Sequence, residues 1–508
     1  MRSNKTLNII SAFLLTVQAT VEALFAAVVL QLNMLPDRYV IALIAGLVLL
    51  LVITGGLLFL RGKKPVSLAR RIVGWVLVLV VIAGCLIGAK FAKQAYDTLN
   101  KVTVTPQDEE EDEFDGICVF VREEDAAQSL ADAAQYPFGI IAEHDEELLA
   151  KAIQLLETQL GSALTVTSCE SAAQLMDALL NDEVDAILVN SAVVVAMSEE
   201  EGYEDLLEKI RVLHGVPMSQ LEEVEPTEPP TEPPASITQE PFAVYLSGSD
   251  TRSKKLKKGR SDVNILAIVN PQTKQILLIN TPRDYYVANP AGKGKMDKLT
   301  NCGLYGTENT MKILSNLYGV DVNYYAQINF TGVETLVDAI GGVTVNSSES
   351  FTCGDLREFR IVKGENHLNG KEALAFARER YHVKGGDNGR GKNQMRVITA
   401  IIQKATTGTT IISNYSQILA SLEGMFRTSM ATEDMSALVK MQLDDMASWN
   451  IKSFAVTGEG GSEKTYSSPG HKAYVMHPHK YMVNHAAKLA EMVISGQTLT
   501  DADMKVKK

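Results

Sequence analysis

Ala377 to Arg396 reads Ala-Arg-Glu-Arg-Tyr-His-Val-Lys-Gly-Gly-Asp-Asn-Gly-Arg-Gly-Lys-Asn-Gln-Met-Arg. Arg378 and Arg380 close a segment whose apolar residues (Ala373, Leu374, Phe376, Ala377) recur with helical spacing. A Gly-Gly break at Gly385 and Gly386 follows. Asp387, Arg390 and Gln394 then stand just before a second apolar helix (Val397, Ile398, Ile401, Ile402). Arginines that end one helix and open the next across a glycine turn can converge on one anion. Planar guanidinium forks match phosphate oxygens better than lysine does, so the stretch reads as a phosphate clamp. A solvated charged loop is the alternative for these residues taken alone.

The segment upstream decides between the two. Phe242–Ser247 has the composition of a strand and leads into Gly248-Ser249-Asp250. A basic loop follows (Arg252, Lys254, Lys255, Lys257, Lys258) and ends in Arg260-Ser261-Asp262. Two further strands, Val263–Val269 and Gln275–Asn280, meet at a turn around Asn270-Pro271, and the second ends in Thr281-Pro282-Arg283-Asp284. Polar residues thus collect at strand ends, where α/β sheets place their sites. Asp250 and Asp262 flank one loop and could share a cation; oxygen ligation beside phosphates is magnesium-like chemistry. Arg260 and Arg283 extend the clamp of Arg378, Arg380 and Arg390. Any one of these residues alone would read as an ordinary surface charge.

This ordered set resembles the LytR–CpsA–Psr family over roughly residues 240–460. The likeness runs through Gly248-Ser249-Asp250, Arg260-Ser261-Asp262, Thr281-Pro282-Arg283-Asp284 and Asp297-Lys298-Leu299. It continues in Val337-Asp338-Ala339-Ile340-Gly341-Gly342-Val343, Leu368-Asn369-Gly370-Lys371-Glu372-Ala373-Leu374 and Ala377-Arg378-Glu379-Arg380, with Asp387, Arg390 and Gln394 at the family spacing. The resemblance implies an α/β fold with a mixed sheet in αβα layers. It also implies an enzyme that moves a glycopolymer from a polyprenyl-pyrophosphate carrier onto peptidoglycan, leaving a phosphodiester bond. By the same resemblance, Asp250 and Asp262 hold Mg²⁺ (or Mn²⁺) on the pyrophosphate, and Arg260, Arg283, Arg378, Arg380 and Arg390 bind its oxygens. Gln394 and Lys298 are further substrate contacts, and Asp387 orients an arginine or activates the acceptor hydroxyl. Elementary chemistry agrees: phosphoryl transfer asks a protein for charge neutralisation and in-line positioning. Nothing resembles a Walker loop, which argues against nucleotide hydrolysis.

The chain departs from the family at Thr300-Asn301-Cys302-Gly303-Leu304-Tyr305-Gly306, where family members often carry a histidine- and alanine-rich stretch. That puts the role of Lys298 and the acceptor-side contacts in question. Apolar periodicity does not separate a lipid tunnel from ordinary core, and Phe330 reads as core.

At 508 residues the chain should hold two or more domains. Its formal net charge of -13 argues against a nucleic-acid binder. Three apolar segments, Leu7–Leu35, Tyr39–Leu60 and Ile72–Ala89, are each near the length that spans a bilayer. Arg2 and Lys5 precede the first; Arg61, Lys63, Lys64, Arg70 and Arg71 separate the second and third. The positive-inside rule puts the N-terminus and that loop in the cytoplasm and everything after Ala89 outside the cell membrane. Gln18 and Glu22 interrupt the first segment and read as a helix–helix contact.

Residues 1–90 therefore form a membrane anchor and 91–115 an acidic tether, in which Asp108 to Asp115 is a solvated spacer rather than a calcium site. Residues 116–221 alternate short strands with the helices Glu146–Gln159 and Ser171–Leu180, which reads as a small, mainly parallel α/β accessory domain for docking or spacing. His144, beside Glu143 and Asp145, reads as a surface helix cap rather than a metal ligand. A proline- and glutamate-rich linker (222–238), the main domain (239–460) and a C-terminal extension (461–508) complete the chain. In the extension His471, His477 and His479 read as a surface loop before a final helix, Tyr481–Ile494. An oxidising exterior permits disulfides, and Cys118–Cys169 with Cys302–Cys353 is the simplest of three pairings; four free buried cysteines are the alternative, and Cys85 should be unpaired.

Two other functions fit the same residues. A non-catalytic polyprenyl-phosphate-binding regulator could use the clamp as a receptor, and a polyprenyl-pyrophosphate hydrolase would take water as its acceptor. Paired Asp250 and Asp262 favour an enzyme, since a receptor needs no metal pair.

Overall fold

The computed structural model describes residues 2–33, 35–60, 66–102, 116–221, 233–249, 256, 259–356, 359–407, 418 and 421–506. Asp250, the basic loop at Arg252, Lys254, Lys255, Lys257 and Lys258, Arg61, Lys63 and Lys64, the Asp108–Asp115 tether and most of the proline-rich linker lie outside these residues.

Three helices open the chain, α1 (Arg2–Leu32), α2 (Asp37–Phe59) and α3 (Leu68–Val102), each long and apolar enough to cross a membrane. The third runs past Ala89 to Val102, because nothing in Lys90–Val102 breaks a helix. Polar side chains inside the bundle find partners there: Gln18 Nε2 donates to Glu22 Oε1 at 2.8 Å, and Trp75 Nε1 donates to Ser11 Oγ at 3.0 Å. Gly88 lets α3 approach the Phe25 ring so closely that an added Cβ would meet it at 2.9 Å.

The first sheet holds β1 (Gly116–Arg122), β2 (Pro137–Ile141), β3 (Thr165–Cys169), β4 (Ala186–Asn190) and β5 (Ile210–Pro217) in the order β3-β2-β4-β1-β5. Strand alternation sends Ile117, Val119 and Val121 to one face, against Leu149, Ala152 and Leu156 of α4 (Glu146–Leu160). Cys118 and Phe120 go to the other, against Leu175, Met176 and Leu179 of α5 (Ala172–Leu180). The short helix α6 (Ser191–Met197) follows β4 directly. The expectation of a mainly parallel sheet is corrected: β2 pairs in parallel with β3 and β4, but β1 is antiparallel to β4 and β5. The unforeseen β5 closes the edge and takes β1 as its neighbour.

The second sheet is built from β6 (Phe242–Ser249), β7 (Val263–Asn270), β8 (Gln275–Thr281), β9 (Tyr324–Asn329), β10 (Phe426–Thr428) and β11 (Asn450–Ala455), in the order β10-β9-β6-β7-β8-β11. It is a mixed sheet between helical layers. Leu266, Ile268, Leu277 and Ile279 face Ile313 and Leu314 of α7 (Thr307–Tyr318) and Ala486, Leu489 and Val493 of the C-terminal helix. Ile265, Ala267 and Leu278 face Met395 on the other side. Each fully buried large apolar side chain contributes about 1.5–3 kcal/mol. A satellite core joins α8 (Phe330–Ala339), α9 (Gly370–Arg378) and α10 (Asp387–Thr406) through Val337, Phe376 and Val397. On α11 (Thr432–Asp445), Lys440 reaches Asp37 at the start of α2 at 2.9 Å, which ties this unit to the helical anchor.

The last segment differs from its sequence reading. Gly458–Thr465 (β12) and Ser468–Pro478 (β13) form a long antiparallel hairpin where a surface loop is expected. His471 and His477 therefore lie on a strand, and His479 precedes the final helix α12 (Lys480–Ile494).

Both disulfide pairings are also corrected, since none of the five buried cysteines is joined in a disulfide. Cys118 and Cys169 lie on β1 and β3, three strand spacings apart, or roughly 14 Å, well beyond the reach of a disulfide. Cys302 and Cys353 belong to different cores. Burial pushes the Cys353 thiol up to about 12 and the Cys302 thiol well above its ordinary value, so both behave as small apolar groups.

Candidate functional site

Strand direction gathers the site. β6 and β9 are parallel, with Ser249 opposite Asn329, and β7 runs back between β6 and β8. The ends of β6, β8 and β9 and the start of β7 therefore share one edge of the sheet. Asp262, Arg283 and Phe330 sit at that edge, each one or two residues beyond a strand.

The α9–α10 connection is brought to the same edge. Asn369 and Glu372 form a reciprocal capping box that starts α9, with bonds of 3.0 and 2.9 Å. Past its end, the buried Glu379 accepts backbone N–H groups from Gly354 (2.6 Å), Tyr381 (2.9 Å) and His382 (3.0 Å). Burial alone would raise its pKa, but these N–H groups hold the carboxyl below its usual range. Gly385 and Gly386 turn the chain at φ 86° and 54°, which favours glycine. Gly391 then lets α10 pass the end of β8, where a Cβ would meet the Asn280 side chain at 2.3 Å.

Asp262, Arg283, Arg378, Arg380, Arg390 and Gln394 line one cleft of about 280 Å³. Arg283 ion-pairs with Asp262, meets Glu199 Oε2 at 3.0 Å and lies 3.7 Å from Asp284. Burial would lower its pKa, but Asp262, Asp284 and Glu199 together hold it above the ordinary arginine value. Arg260 joins through Glu199, whose Oε1 is 2.6 Å from its Nη2. Arg378 pairs with Asp355 and lies over the Phe330 ring, 4.4 Å from its centroid. Arg380 donates to the Tyr381 hydroxyl at 2.6 Å. At the margin Asp387 pairs with Arg390, and Lys298 lies 3.5 Å from Glu200. Asp284 sits amid them: burial pushes its carboxyl up, Arg283 opposes that, and Asp387 adds to it. Of the anticipated residues, Asp262, Arg283, Arg378, Arg380, Arg390 and Gln394 thus line the cleft itself, whereas Arg260, Asp387 and Lys298 are outside that lining, held by Glu199, Arg390 and Glu200; Asp250 lies outside the described residues.

Among the described residues no group of three or more His, Cys, Asp or Glu side chains could hold a metal. Asp262, which lines the cleft, and Asp284 each lie against Arg283, so that guanidinium already faces both carboxylates.

Several site residues escape the sequence reading. Phe330 is half-buried under Arg378 rather than core. Tyr381 is 79% exposed beside Arg380, an isolated aromatic whose exposure no periodicity reveals. Glu199 and Glu200 come from the loop after α6, 84 residues before Arg283, and carry no local signal of their partners. His144 is buried rather than a surface cap; its ring packs 5.0 Å from that of Tyr466, and Asp145 occupies the cap position.

The sequence profile of the LytR_cpsA_psr family matches residues 217–486. The chain is 36% identical over 225 residues to the polyisoprenyl-teichoic acid–peptidoglycan teichoic acid transferase TagU of Enterococcus faecalis, which spans 44% of this chain and 72% of that protein. It is 33% identical over 222 residues to the protein of the same name from Bacillus cereus, which spans 44% of this chain and 70% of that one. The crystal structure of B. subtilis TagV is similar with a TM-score of 0.43 and 25% identity, covering 51% of this chain and 99% of that one. With more than half its length matched by the profile and its motifs at one sheet edge, the chain belongs to the LytR–CpsA–Psr family.

Proposed function

We propose that this chain is a membrane-anchored phosphotransferase that moves a glycopolymer from a polyprenyl-pyrophosphate carrier to a peptidoglycan hydroxyl. The observation that carries this reading is the convergence of Arg283, Arg378, Arg380 and Arg390 with Asp262 on one cleft at a sheet edge. The names of the relatives, which refer to a polyisoprenyl-linked teichoic acid and peptidoglycan, support the substrate class.

In this reading the arginines bind the pyrophosphate oxygens and take up charge as the bridging bond lengthens. The acceptor hydroxyl oxygen bonds to the phosphorus that carries the glycan. The bridging P–O bond breaks, polyprenyl phosphate leaves, and a phosphodiester remains. Asp387, through its ion pair, orients Arg390 or takes the hydroxyl proton. Arg378, stacked on Phe330 and paired with Asp355, is held in position before substrate arrives. When Mg²⁺ is bound it neutralises pyrophosphate charge, and Asp262 with Asp250 would hold it. Basic residues in the first turns of α1 and between α2 and α3 support a cytoplasmic N-terminus, which puts both sheets outside the cell.

The test is incubation of the full chain in detergent with a polyprenyl-pyrophosphate-linked oligosaccharide and peptidoglycan fragments, with and without Mg²⁺. The expected result is a metal-dependent phosphodiester-linked product. Binding without turnover would replace the reading with a lipid-binding regulator, and release of polyprenyl phosphate with free glycan phosphate would replace it with a hydrolase.

A further inference from the structure

Arg260 and Arg283 already hold an anion, and it comes from the first α/β unit. Glu199 Oε1 lies 2.6 Å from Arg260 Nη2, and Oε2 lies 3.0 Å from Arg283 Nη2. One carboxylate thus bridges two guanidinium groups, one oxygen on each, as a phosphate would. The neighbouring Glu200 likewise lies between two groups, with Lys298 Nζ at 3.5 Å and the ring nitrogen His471 Nε2 at 3.4 Å.

The loop is held there by packing as well as charge. Ala192 and Ala196 of α6 share a buried apolar cluster with Leu304 of the second unit. Gly470 in the β13 hairpin lies so close to Ser171 that a Cβ would meet its side chain at 2.3 Å. The arginine side chains are covered, with 17% of Arg260 and 18% of Arg283 exposed. A diphosphate oxygen cannot occupy the positions that the Glu199 oxygens fill.

We propose that Glu199, backed by Glu200, is a built-in phosphate surrogate: the first α/β unit caps the arginine pair in the resting chain, and a diphosphate must displace it to bind. This rests on the reading of Arg260 and Arg283 as diphosphate-binding residues. The apparent affinity is the intrinsic one reduced by the fraction of molecules whose cap is open. Removing the Glu199 charge raises that fraction.

The test is calorimetric titration of the full chain in detergent with geranylgeranyl diphosphate and Mg²⁺, using wild type, E199Q, E200Q and R283A. E199Q should bind about 3- to 10-fold more tightly, and E200Q should gain less. Equal or weaker binding by E199Q, with R283A abolishing it, overturns the cap alone. Undiminished binding by R283A overturns the clamp reading and the cap with it. Hydrogen exchange on the wild type provides a check that needs no variant: amides around 198–201 should exchange faster at saturating probe. Unchanged protection there with probe bound overturns the cap.

Discussion

The chain carries two α/β units that use the same part of their sheets in opposite ways. In the first, β2, β3 and β4 are parallel, so the residues after them share one edge. In the second, β6, β8 and β9 run the same way and share another. Such edges are where α/β sheets place their sites. The second edge opens into the arginine-lined cleft. The first is closed by contact with the second unit: Asp145 after β2 accepts from the Tyr466 hydroxyl at 2.6 Å, Ser171 after β3 meets Gly470, and α6 after β4 packs on Leu304. Topology makes the edge available; the residues that fill it decide whether it becomes an interface or a site.

That comparison breaks most sharply if charge at the open edge proves dispensable. Arg378→Ala and Asp262→Asn should each lower transfer about 10²- to 10³-fold, the loss typical of one preorganised electrostatic contact. Arg378 lies at the cleft mouth, so thermal unfolding of Arg378→Ala should stay close to wild type. Full transfer by both variants would sink the assignment of this edge as the site.

The next effect belongs to Asp297, buried behind the contact between the units. It accepts from Ser467 and from the Lys298 amide at 2.8 Å. Burial pushes its carboxyl from 3.8 to about 6, with those hydrogen bonds opposing the rise. A raised folded-state pKa contributes stability that is fully present below about pH 4 and is lost as pH rises through about 6. The swing is up to about 3 kcal/mol at ~1.4 kcal/mol per unit. In urea unfolding, the stability of wild type relative to Asp297→Asn should therefore fall between pH 4 and pH 8. A pH-independent difference would place the ionisation elsewhere.

How much of this was legible follows from how local each signal is. The apolar runs at Ile117–Val121, Val263–Val269 and Gln275–Asn280 mark strands to within a residue or two, because short, mostly apolar runs of this kind are buried on both faces there. The clamp is legible because its arginines stand at element ends. The β12–β13 hairpin is hidden: Gly-Glu-Gly-Gly-Ser-Glu-Lys-Thr has little strand propensity and pairs only because a partner strand of fixed register lies beside it. Ile210–Pro217 fails for a similar reason, with Arg211 and His214 blurring its alternation. Phe330 reads as apolar and nothing local says that an arginine will lie on its ring. The Glu199 carboxylate that bridges Arg260 and Arg283 comes from another unit, and pairing at that separation leaves no periodicity to read.

The smallest effects test the closed edge. Tyr466→Phe removes a hydrogen bond to the Asp145 carboxylate, whose other oxygen makes no hydrogen bond and lies 3.6 Å from His144 Nε2, so it should cost about 1.5–3 kcal/mol in chemical unfolding. Lys293 and Glu147 bridge the same two units at 2.8 Å, but both side chains are largely exposed. Solvent screens such a pair and two flexible side chains must be ordered to form it, so Lys293→Ala should leave the melting temperature unchanged within error. The contrast isolates what closes the edge. If Lys293→Ala destabilised the chain as much as Tyr466→Phe, long-range charge rather than buried packing would join the two units, and added salt should then separate them.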